Sequence, residues 1–511
     1  MKIYISIFTA LLCFSNMESQ EISVADAYRY AIDNTTGTAR FRALSGAMGA
    51  LGGDLSAINV NPAGSAIFAN NQVAVTASNF NVKNNSTYFG KQTSDSNNSL
   101  EINQAGGVFV FENNNSNSDW KKFSLGLNYE NTNNFDNKLY SAGLNPLNSA
   151  TQYFVNNANG TRLSILEDSF YDELNFVQQQ AFLGYRGYLI NPLTDDTDNQ
   201  IYFSNVAATG NFYQENEVVS RGYNGKFNFN FATQYKDNLY LGINLNAHFF
   251  DLNKSTSFYE DYDDGINRNA NIGIQEFRFN NNTYSYGNGF SLQLGAIAKI
   301  ATNFRLGLAY ESPTWMTLND ELTQSITAYC ADCVDGSINN LPVNNINENP
   351  GVTNVYEPYN IQTPSKYSGS LAYVFGKKGL ISFDYGLKDY SNTSFGPASD
   401  PVFKNLNQVI VRDARKQTSE YRVGAEYRIE QVSLRGGYRF EQSPYKNSFT
   451  IGNLTSYSGG LGYNFGDTKL DLAYTFAKRD FQEQFLPQGM TDRALINSKN
   501  NTVTLTLAFE L

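Results

Sequence analysis

The sequence is poor in several residue types on which common functional sites depend. It has one histidine, three cysteines and two tryptophans among 511 residues, and charged residues make up only 17%. Beyond the first few residues it has no apolar run of the roughly 18 residues that a membrane-spanning helix needs. Its net charge of -11 argues against nucleic acid as a partner, because nucleic-acid-binding surfaces are basic.

The N-terminus resembles a secretion signal. Lys2 provides a short basic region, residues 3–14 are mainly apolar, and residues 17–19 form a tolerable cleavage site before Gln20. We therefore predict a signal peptide at residues 1–19. Cys13 is not expected to carry a lipid, because the bulky Leu12 precedes it where a lipid-attachment motif has a small residue.

The other two cysteines are close together in a polar stretch. Export would place Cys330 and Cys333 in an oxidising compartment, where we expect them to form a disulfide that tightens a loop. A metal site would need further ligands, and the single histidine, His248, is far away in sequence. We predict no metal site and no other cofactor.

The sequence is rich in residues that favour strands and turns. Phenylalanine (37), tyrosine (34) and glycine (40) are abundant, and apolar residues alternate with polar ones at period two in many segments. In the last segment, for example, Val503, Leu505, Leu507 and Phe509 alternate with threonine and alanine. This pattern predicts an all-β protein with about 14 strands, near residues 72–82, 100–112, 122–131, 218–234, 238–253, 286–300, 304–311, 366–375, 380–390, 420–429, 432–441, 454–465, 468–478 and 502–511.

The connections between these strands fall into two classes. Short turns occur near residues 236–237, 301–302, 376–378, 430–431 and 466–467, whereas long polar segments occupy 261–282, 315–362, 392–416 and 480–499. Short turns at one end and long loops at the other are typical of a transmembrane antiparallel β-barrel in the outer membrane of a Gram-negative-type bacterium. Residues 270–279 also look β-like, but we place them in a loop because a fifteenth strand would break the even count. Residues 71–511 are thus predicted to be the barrel with its extracellular loops.

Residues 20–70 are predicted to be a plug inside the lumen. Ser23 and Asp26 have the spacing of a capping box, which predicts a short helix through about Ile32. A run of small residues follows at 44–53, and such residues pack closely against a wall. The glycines there lack the Gly-Lys-Ser/Thr ending of a phosphate-binding loop, so we do not predict nucleotide binding.

The largest loop is predicted at residues 132–217. Leu163, Leu166, Phe170 and Leu174 recur at helical spacing within it, which predicts an amphipathic helix above the barrel. Such a helix would either offer an apolar groove to a ligand or only pack the loop onto the rim of the barrel. Both interpretations remain open, and Phe170 and Leu174 are the candidate ligand contacts.

Three features resemble the FadL/TodX family of outer-membrane transport proteins. Residues 47–66 contain Asn61-Pro62-Ala63-Gly64, similar to the Asn-Pro-Ala motif of that family's hatch. Residues 421–428, 433–438 and 443–445 resemble its paired-strand signature. About 14 strands with an N-terminal plug complete the likeness. The loop at 132–217, the cysteine loop and the final Leu511, where an aromatic residue is usual, depart from the family pattern.

The resemblance implies passive transport of hydrophobic molecules, such as long-chain fatty acids, and no enzymatic activity. A ligand would meet an apolar groove in the outer loops and then a site beside the hatch. Hatch movement and a lateral gap in the wall would release it into outer-membrane lipid. By the same resemblance, Asn61, Pro62, Ala63 and Gly64 would lie at this gate.

Several arginines fall on the predicted lumen face of the strands, and a carboxylate ligand would need such a donor. The alternative is that they pair with Glu311 and Glu426 or hold the plug. We take Arg422, Arg435 and Arg439 as tentative ligand contacts, from the larger set Arg305, Arg422, Arg428, Arg435 and Arg439.

Two other functions are weighed against transport of hydrophobic molecules. The barrel could instead be a subunit or carrier in an outer-membrane secretion complex, with a protein partner that the sequence does not identify. A porin for polar solutes is disfavoured by the plug. A lipid hydrolase would need His248 beside a serine, and no such element is near it in sequence.

Overall fold

The computed structural model describes residues 23–115, 117–206, 210–262, 273–331, 333–335, 341–342 and 344–511. The predicted signal peptide, with Cys13, lies outside these residues. No helix in the described part of the chain is both long and apolar enough to cross a membrane.

The described residues form mainly strands, with six short α-helices. The helices are α1 Val24–Ala31, α2 Ala39–Ala43, α3 Thr151–Ala158, α4 Leu163–Asp168, α5 Phe176–Arg186 and α6 Pro401–Asp413. Single 3-10 turns lie at Ser56–Asn59, Pro62–Ile67, Tyr171–Glu173 and Tyr390–Asn392. The strands are β1 Gln72–Tyr88, β2 Lys91–Glu112, β3 Trp120–Asn134, β4 Asn137–Asn145, β5 Ile190–Pro192, β6 Tyr202–Ser204, β7 Phe212–Tyr235, β8 Leu239–Asp261, β9 Ile274–Lys299, β10 Phe304–Glu311, β11 Trp315–Cys330, β12 Val334–Asp335, β13 Leu341–Pro342, β14 Asn345–Glu348, β15 Asn354–Val355, β16 Tyr359–Gln362, β17 Lys366–Val374, β18 Gly379–Lys388, β19 Ser394–Gly396, β20 Thr418–Ile429, β21 Val432–Glu441, β22 Ile451–Asn464, β23 Thr468–Gln484 and β24 Arg493–Glu510.

The long strands form a closed antiparallel barrel of 14 wall strands. The first strand pairs with the last, from Gln72 opposite Glu510 to Thr87 opposite Leu495, and this pairing closes the wall. In the described chain four wall strands are interrupted: β3 is followed by β4, β10 by β11 and β18 by β19, and β17 is preceded by the short β14, β15 and β16. The fourteen strands predicted from alternation are all present, so the predicted fold class is confirmed.

Side chains alternate between the two faces of the wall. Exposed apolar residues, such as Leu125, Leu294, Leu308 and Leu505, cover the outer face, whereas buried serine, threonine and asparagine residues face inward. Paired aromatic rings occur near both ends of the outer face, including Trp120 with Tyr235 near the short turns and Tyr310 with Tyr367 nearer the long loops. An apolar band between aromatic girdles is the pattern of a barrel embedded in lipid.

Most strands extend further toward the long loops than predicted. β9 begins at Ile274, so residues 274–279 belong to a strand, and their placement in a loop was wrong. β11 likewise occupies the start of the segment 315–362 that was predicted as a loop. In β11 the buried apolar residues Met316, Leu318, Leu322 and Ile326 face inward. The alternation is thus inverted relative to the lipid-facing strands, because the inner side here packs against apolar residues of the plug and the cap.

The loop predicted at 132–217 is shorter than expected, because β4 and the start of β7 belong to the wall. The described residues between these strands form a compact cap rather than one amphipathic helix. α4 ends at Asp168, and α5 begins after Asn175, whose side chain accepts a hydrogen bond from the backbone of Gln178 and thus starts a new helix. Leu163, Leu166 and Leu174 are buried in one core with strand residues Phe258, Phe277 and Phe279. The single helix was wrong because local capping divides the segment.

The N-terminal segment crosses the lumen. The predicted capping box is present, with mutual hydrogen bonds between Ser23 and Asp26, and it starts α1. α2 packs against β21 to β24, whereas the 3-10 turn Pro62–Ile67 packs against β3, β7, β8 and β9. Because these strands lie on different sides of the barrel, the segment spans the interior as a plug.

Candidate functional site

The Asn-Pro-Ala-Gly sequence forms a tight turn that joins the plug to the wall. The Asn61 side-chain oxygen accepts from the Ala63 backbone at 3.1 Å, and Pro62 is the first residue of the following 3-10 turn. The Asn61 amide donates to the carbonyl of Gly49 in the plug at 2.8 Å and to that of Ala296 in β9 at 3.1 Å. One side chain therefore caps the turn, closes the plug on itself and contacts the barrel.

Wall glycines make room for this turn. A Cβ atom at Gly295 would lie 2.1 Å from the Asn61 side-chain oxygen, and one at Gly242 would lie 2.4 Å from the Pro62 carbonyl carbon. A Cβ at Gly307 would similarly lie 2.3 Å from the Gly49 carbonyl oxygen. These wall strands and the plug thus meet backbone to backbone, and larger side chains would separate them.

A depression of about 700 Å³ lies on the lipid side of the same wall. Leu241, Leu294 and Tyr367 are among its lining residues, and Gly242 and Gly295 also border it. The wall is therefore thin at the turn, with an apolar surface outside and the Asn-Pro-Ala-Gly turn inside.

Another part of the wall holds the plug by charge. Glu426 of β20 is fully buried and pairs with Arg40 of the plug at 2.9 Å, with Arg435 at 2.7 Å and with Arg428. Arg435 also pairs with Asp471. This tentative ligand contact is thus committed to a network that anchors α2.

The other two tentative ligand contacts, Arg439 and Arg422, lie on the same side of the barrel but nearer the long loops. Arg439 pairs with Glu420 and Glu441 and donates to the side chain of Thr35 and the carbonyl of Asp33 in the plug, both at 2.9 Å. Arg422 pairs with Glu420 at 2.6 Å, and it alone of the three lines an interior cavity. Their observed contacts match the plug-holding alternative, and ligand binding by these arginines stays a prediction.

The wall opens partly between β2 and β3. Their backbone pairing ends at Gln104 opposite Glu130, although β2 extends beyond this pair toward the long loops, as far as its first residue, Lys91. Side chains bridge the gap, with Asn131 and Asn134 donating to Glu101 at 2.7 and 2.6 Å. Among the residues that the structure describes, no backbone ladder joins the two strands in this stretch, and side-chain hydrogen bonds bridge it.

The plug contacts the edge of this gap. Glu130 accepts hydrogen bonds from Thr36 at 2.8 Å and from Asn59 at 2.5 Å, both in the plug. Asn34 contacts Asn133 in the same part of β3. Movement of the plug would therefore change the contacts that border the gap.

The interior next to the plug is polar rather than apolar. A cavity of about 80 Å³ is lined by Asp33, Glu130, Thr132, Lys226 and Arg422, among others. Lys226 also lines a second, smaller cavity and is only 6% exposed. Among the residues that the structure describes, no acidic group forms an ion pair with Lys226. The sequence analysis did not single out this lysine, although its inward position on β7 follows from alternation.

Arg42 in the plug is a second cation that the sequence analysis missed. It is 3% exposed, its Nε and Nη1 atoms have no hydrogen-bond partner, and its guanidinium lies 5.4 Å from the Phe80 ring centroid. Burial lowers the pKa of Arg42 to about 10, and the nearby carboxylate of Glu130 offsets part of this effect.

His248 has a serine neighbour that sequence distance concealed. Its Nε2 lies 2.8 Å from the hydroxyl of Ser291, which also accepts from Asn246 at 3.1 Å. Ser291 is fully buried, so its hydroxyl is out of reach of a lipid ester.

The cap places its predicted site residues differently. Phe170 is 74% exposed, whereas Leu174 is buried in the core of the cap. Neither position establishes ligand contact, which stays a prediction for both. Cys330 and Cys333 form a disulfide at the end of β11.

Comparison with known proteins adds independent findings. Residues 224–509, more than half of the chain, match the family described as outer membrane protein transport protein (OMPP1/FadL/TodX). No curated protein sequence matches. Among solved structures, a Pseudomonas aeruginosa FadL homologue matches with a TM-score of 0.53 and 13% identity, over 94% of this chain and 99% of that chain. The Pseudomonas putida toluene transporter TodX matches with a TM-score of 0.49 and 13% identity, over 94% of this chain and 100% of that chain.

Proposed function

The chain belongs to the outer membrane transport protein family OMPP1/FadL/TodX, and from this premise we propose that it takes up long-chain fatty acids by passive diffusion. At the coarser level, the chain is an outer-membrane β-barrel for transport of hydrophobic molecules, and it is not an enzyme. The finer question is which hydrophobic molecules pass.

The observation that carries the fatty-acid proposal is Lys226, a buried cation that, among the described residues, has no carboxylate within ion-pair distance and interacts with Glu130 only at longer range. A buried ammonium without an ion pair is costly, and a carboxylate from a ligand would offset that cost. A neutral aromatic hydrocarbon would give Lys226 no closer counter-ion and would displace water from the polar cavity around it. The cavity therefore favours an amphiphile with an acidic head over a purely apolar molecule.

The proposed exit is the gap between β2 and β3. Glu130 and Thr132 of β3 border both this gap and the cavity that Lys226 lines. Ile102 and Leu100 on the β2 side are 65% and 76% exposed, which gives the outer rim an apolar surface. A ligand that leaves sideways would pass from the cavity to lipid once the Glu101 bridge parts.

In this proposal, residues 1–19 are removed on export, 20–70 act as the hatch and 71–511 form the barrel. Asn61, Pro62, Ala63 and Gly64 serve as the gate because they join the plug to the thin part of the wall. Arg422 is the wall arginine best placed to meet a ligand, since it lines the cavity. Phe170 on the cap is the exposed candidate for first contact.

The test is uptake of radiolabelled hexadecanoic acid by cells that lack their own fatty-acid transporter. We expect the wild-type chain to restore uptake and Lys226→Met to reduce it roughly tenfold, the effect of about 1.4 kcal/mol in binding. Lys83→Met, a change at an exposed lysine, is the matched control. Equal uptake with and without the wild-type chain would refute the fatty-acid proposal. Toluene uptake without hexadecanoate uptake would instead favour aromatic hydrocarbons.

The same cells distinguish the secretion alternative. A ligand-free barrel that copurifies with a tightly bound protein, in cells without uptake, would favour a subunit or carrier of a secretion complex. Retention of fatty acid in the gently extracted barrel would support transport.

A further inference from the structure

One carboxylate of the plug lies between two lysines of the wall. Asp33 follows the C-terminal end of α1, and its Oδ2 atom lies 2.7 Å from Lys388 Nζ and 3.3 Å from Lys366 Nζ. The two lysine side chains are 13% and 11% exposed, whereas the Asp33 side chain is 46% exposed. The cations are thus fixed in the wall, and their carboxylate partner is accessible from the lumen.

Two wall cations on this side, Lys388 and Arg439, also hold the plug backbone. Lys388 Nζ also donates to the carbonyl of Ala31 at 3.0 Å, and Arg439 donates to the carbonyl of Asp33 at 2.9 Å. Lys366 has a second partner, Glu420, at 3.0 Å. The Asp33 carboxylate therefore sits at the point where the N-terminal part of the plug is tied to the barrel.

This ion pair is reachable from the ligand cavities. Asp33 and Lys366 both line three interior cavities, and Lys226 lines two of them. The lysines also border an interruption of the wall, where the pairing of β17 with β18 ends at Lys366 opposite Lys388. An anionic head that occupies these cavities is next to the Asp33 carboxylate.

We propose that Asp33 occupies, in the ligand-free protein, the position beside the two lysines that the carboxylate of a bound ligand takes. An incoming carboxylate competes with Asp33 for Lys388 and Lys366, and its binding releases the N-terminal part of the plug from the wall. This inference rests on the proposed uptake of fatty acids and adds a trigger for movement of the plug.

Exchange of one carboxylate for another is electrostatically inexpensive. Removal of a partner from a buried ion pair is costly because it leaves an uncompensated charge, but replacement by a like group leaves none. Burial raises the pKa of Asp33, but the ammonium groups of Lys388 and Lys366 outweigh this and hold that pKa below its usual range. Asp33 thus stays ionised and competes as an anion.

The released carboxylate remains in a hydrated lumen. Because the Asp33 side chain is already half exposed, its transfer to water costs little desolvation energy. A neutral ligand of the same length has no group that can take its place on the lysines. The mechanism therefore discriminates acids from neutral amphiphiles, independently of the apolar tail.

The test compares binding of hexadecanoic acid and hexadecan-1-ol to the purified full-length chain in detergent, by equilibrium dialysis. Asp33→Asn removes the competing charge at nearly constant shape, so we expect the acid to bind roughly tenfold more tightly and the alcohol to bind as before. Lys388→Met should abolish the preference for the acid. Asp26→Asn is the matched control, because Asp26 is in the same plug segment but pairs with Arg29.

A spin label at Ala25→Cys, an exposed position in α1 outside the capping box, reports release of the segment. In the otherwise unchanged chain we expect the label to become mobile when acid is added and not when alcohol is added. In the Asp33→Asn chain it should be mobile without any ligand. These readouts separate displacement from a change in affinity alone.

The outcomes are distinct for the two proposals. Unchanged acid binding by Asp33→Asn, or an equal gain for acid and alcohol, would overturn the exchange while leaving fatty-acid transport intact. A label that stays immobile on addition of acid would also overturn it. A wild-type chain that binds neither molecule would contradict the proposed function and the trigger together.

Discussion

The plug is attached to the barrel in two physically different ways. Against β8, β9 and β10 it meets the glycines Gly242, Gly295 and Gly307, and contact there is a matter of shape. Against β17, β18 and β20 it is also held by ion pairs, those of Asp33 with Lys366 and Lys388 and that of Arg40 with Glu426, in addition to close contacts at wall glycines such as Gly424. Shape contacts have no alternative partner, whereas ionic contacts can be exchanged for contacts with another ion. The comparison indicates that the charged side is the part that a ligand can loosen, whereas contact at Gly242, Gly295 and Gly307 depends on shape alone.

The largest effect is expected at the centre of the charged side. Glu426→Gln would leave Arg40 and Arg435 without their shared carboxylate and lower the free energy of unfolding by roughly 3–5 kcal/mol. Urea unfolding of the barrel in lipid vesicles measures this. Glu217→Gln is the control, because Glu217 pairs with Lys138 on an exposed surface, and it should cost less than about 1 kcal/mol. Similar losses in both variants would contradict the importance of the buried cluster.

A smaller effect is expected on the glycine side. Gly295→Ala would place a methyl group on the Asn61 side chain and destabilise the seated plug by roughly 1–3 kcal/mol. We expect ion conductance across planar bilayers to rise, since an unseated plug opens the lumen. Gly369→Ala adds the same methyl where no atom lies within 4 Å, and it should leave conductance unchanged. Unchanged conductance in the Gly295→Ala variant would refute the close contact between this part of the wall and the plug.

Asn61→Ala tests the polar part of the same contact. The change removes the cap of the 3-10 turn and the hydrogen bond to the wall, and it should cost roughly 1–2 kcal/mol. Hydrogen exchange of the backbone at residues 61–67 should accelerate accordingly. Asn113→Ala, in an exposed turn, is the control and should not affect these amides. Unchanged exchange in Asn61→Ala would show that the glycine contacts suffice.

The smallest effect has the opposite sign. Arg42→Met replaces a buried cation without a hydrogen-bond partner at two of its nitrogens by an apolar side chain, and it should raise stability by about 1 kcal/mol. Urea unfolding in vesicles measures the gain. A loss of stability would mean that the guanidinium has a stabilising role beside Phe80 and Glu130.

Alternation predicted the lipid-facing parts of the barrel because lipid demands apolar residues on one face only. It failed above the membrane, where both faces meet water or protein. The residues of β2 from Lys91 to Ser99 are polar on both faces, so their strand was predicted too short. In β11 the apolar face turns inward toward the plug and cap, and the segment was mistaken for a loop.

The candidate site was less predictable than the fold. Arg422, Arg435 and Arg439 were correctly expected on the lumen face, but their partners depend on strand register. The lysine pair around Asp33 joins residues more than 300 positions apart, and no local pattern marks it. Lys226 was missed for the same reason, because an unpaired charge can be recognised only when all its neighbours are known.

The amino-acid order by itself determined which side of the membrane-embedded strands faces lipid and where α1 begins. These features depend on contacts between residues close in sequence or on uniform contact with lipid, so short stretches of sequence encode them. Only the tertiary structure decided which glycines receive the plug, which carboxylates hold its cations and where the wall parts. The reason is closure of the barrel, which sets one register for all strands and brings distant residues together.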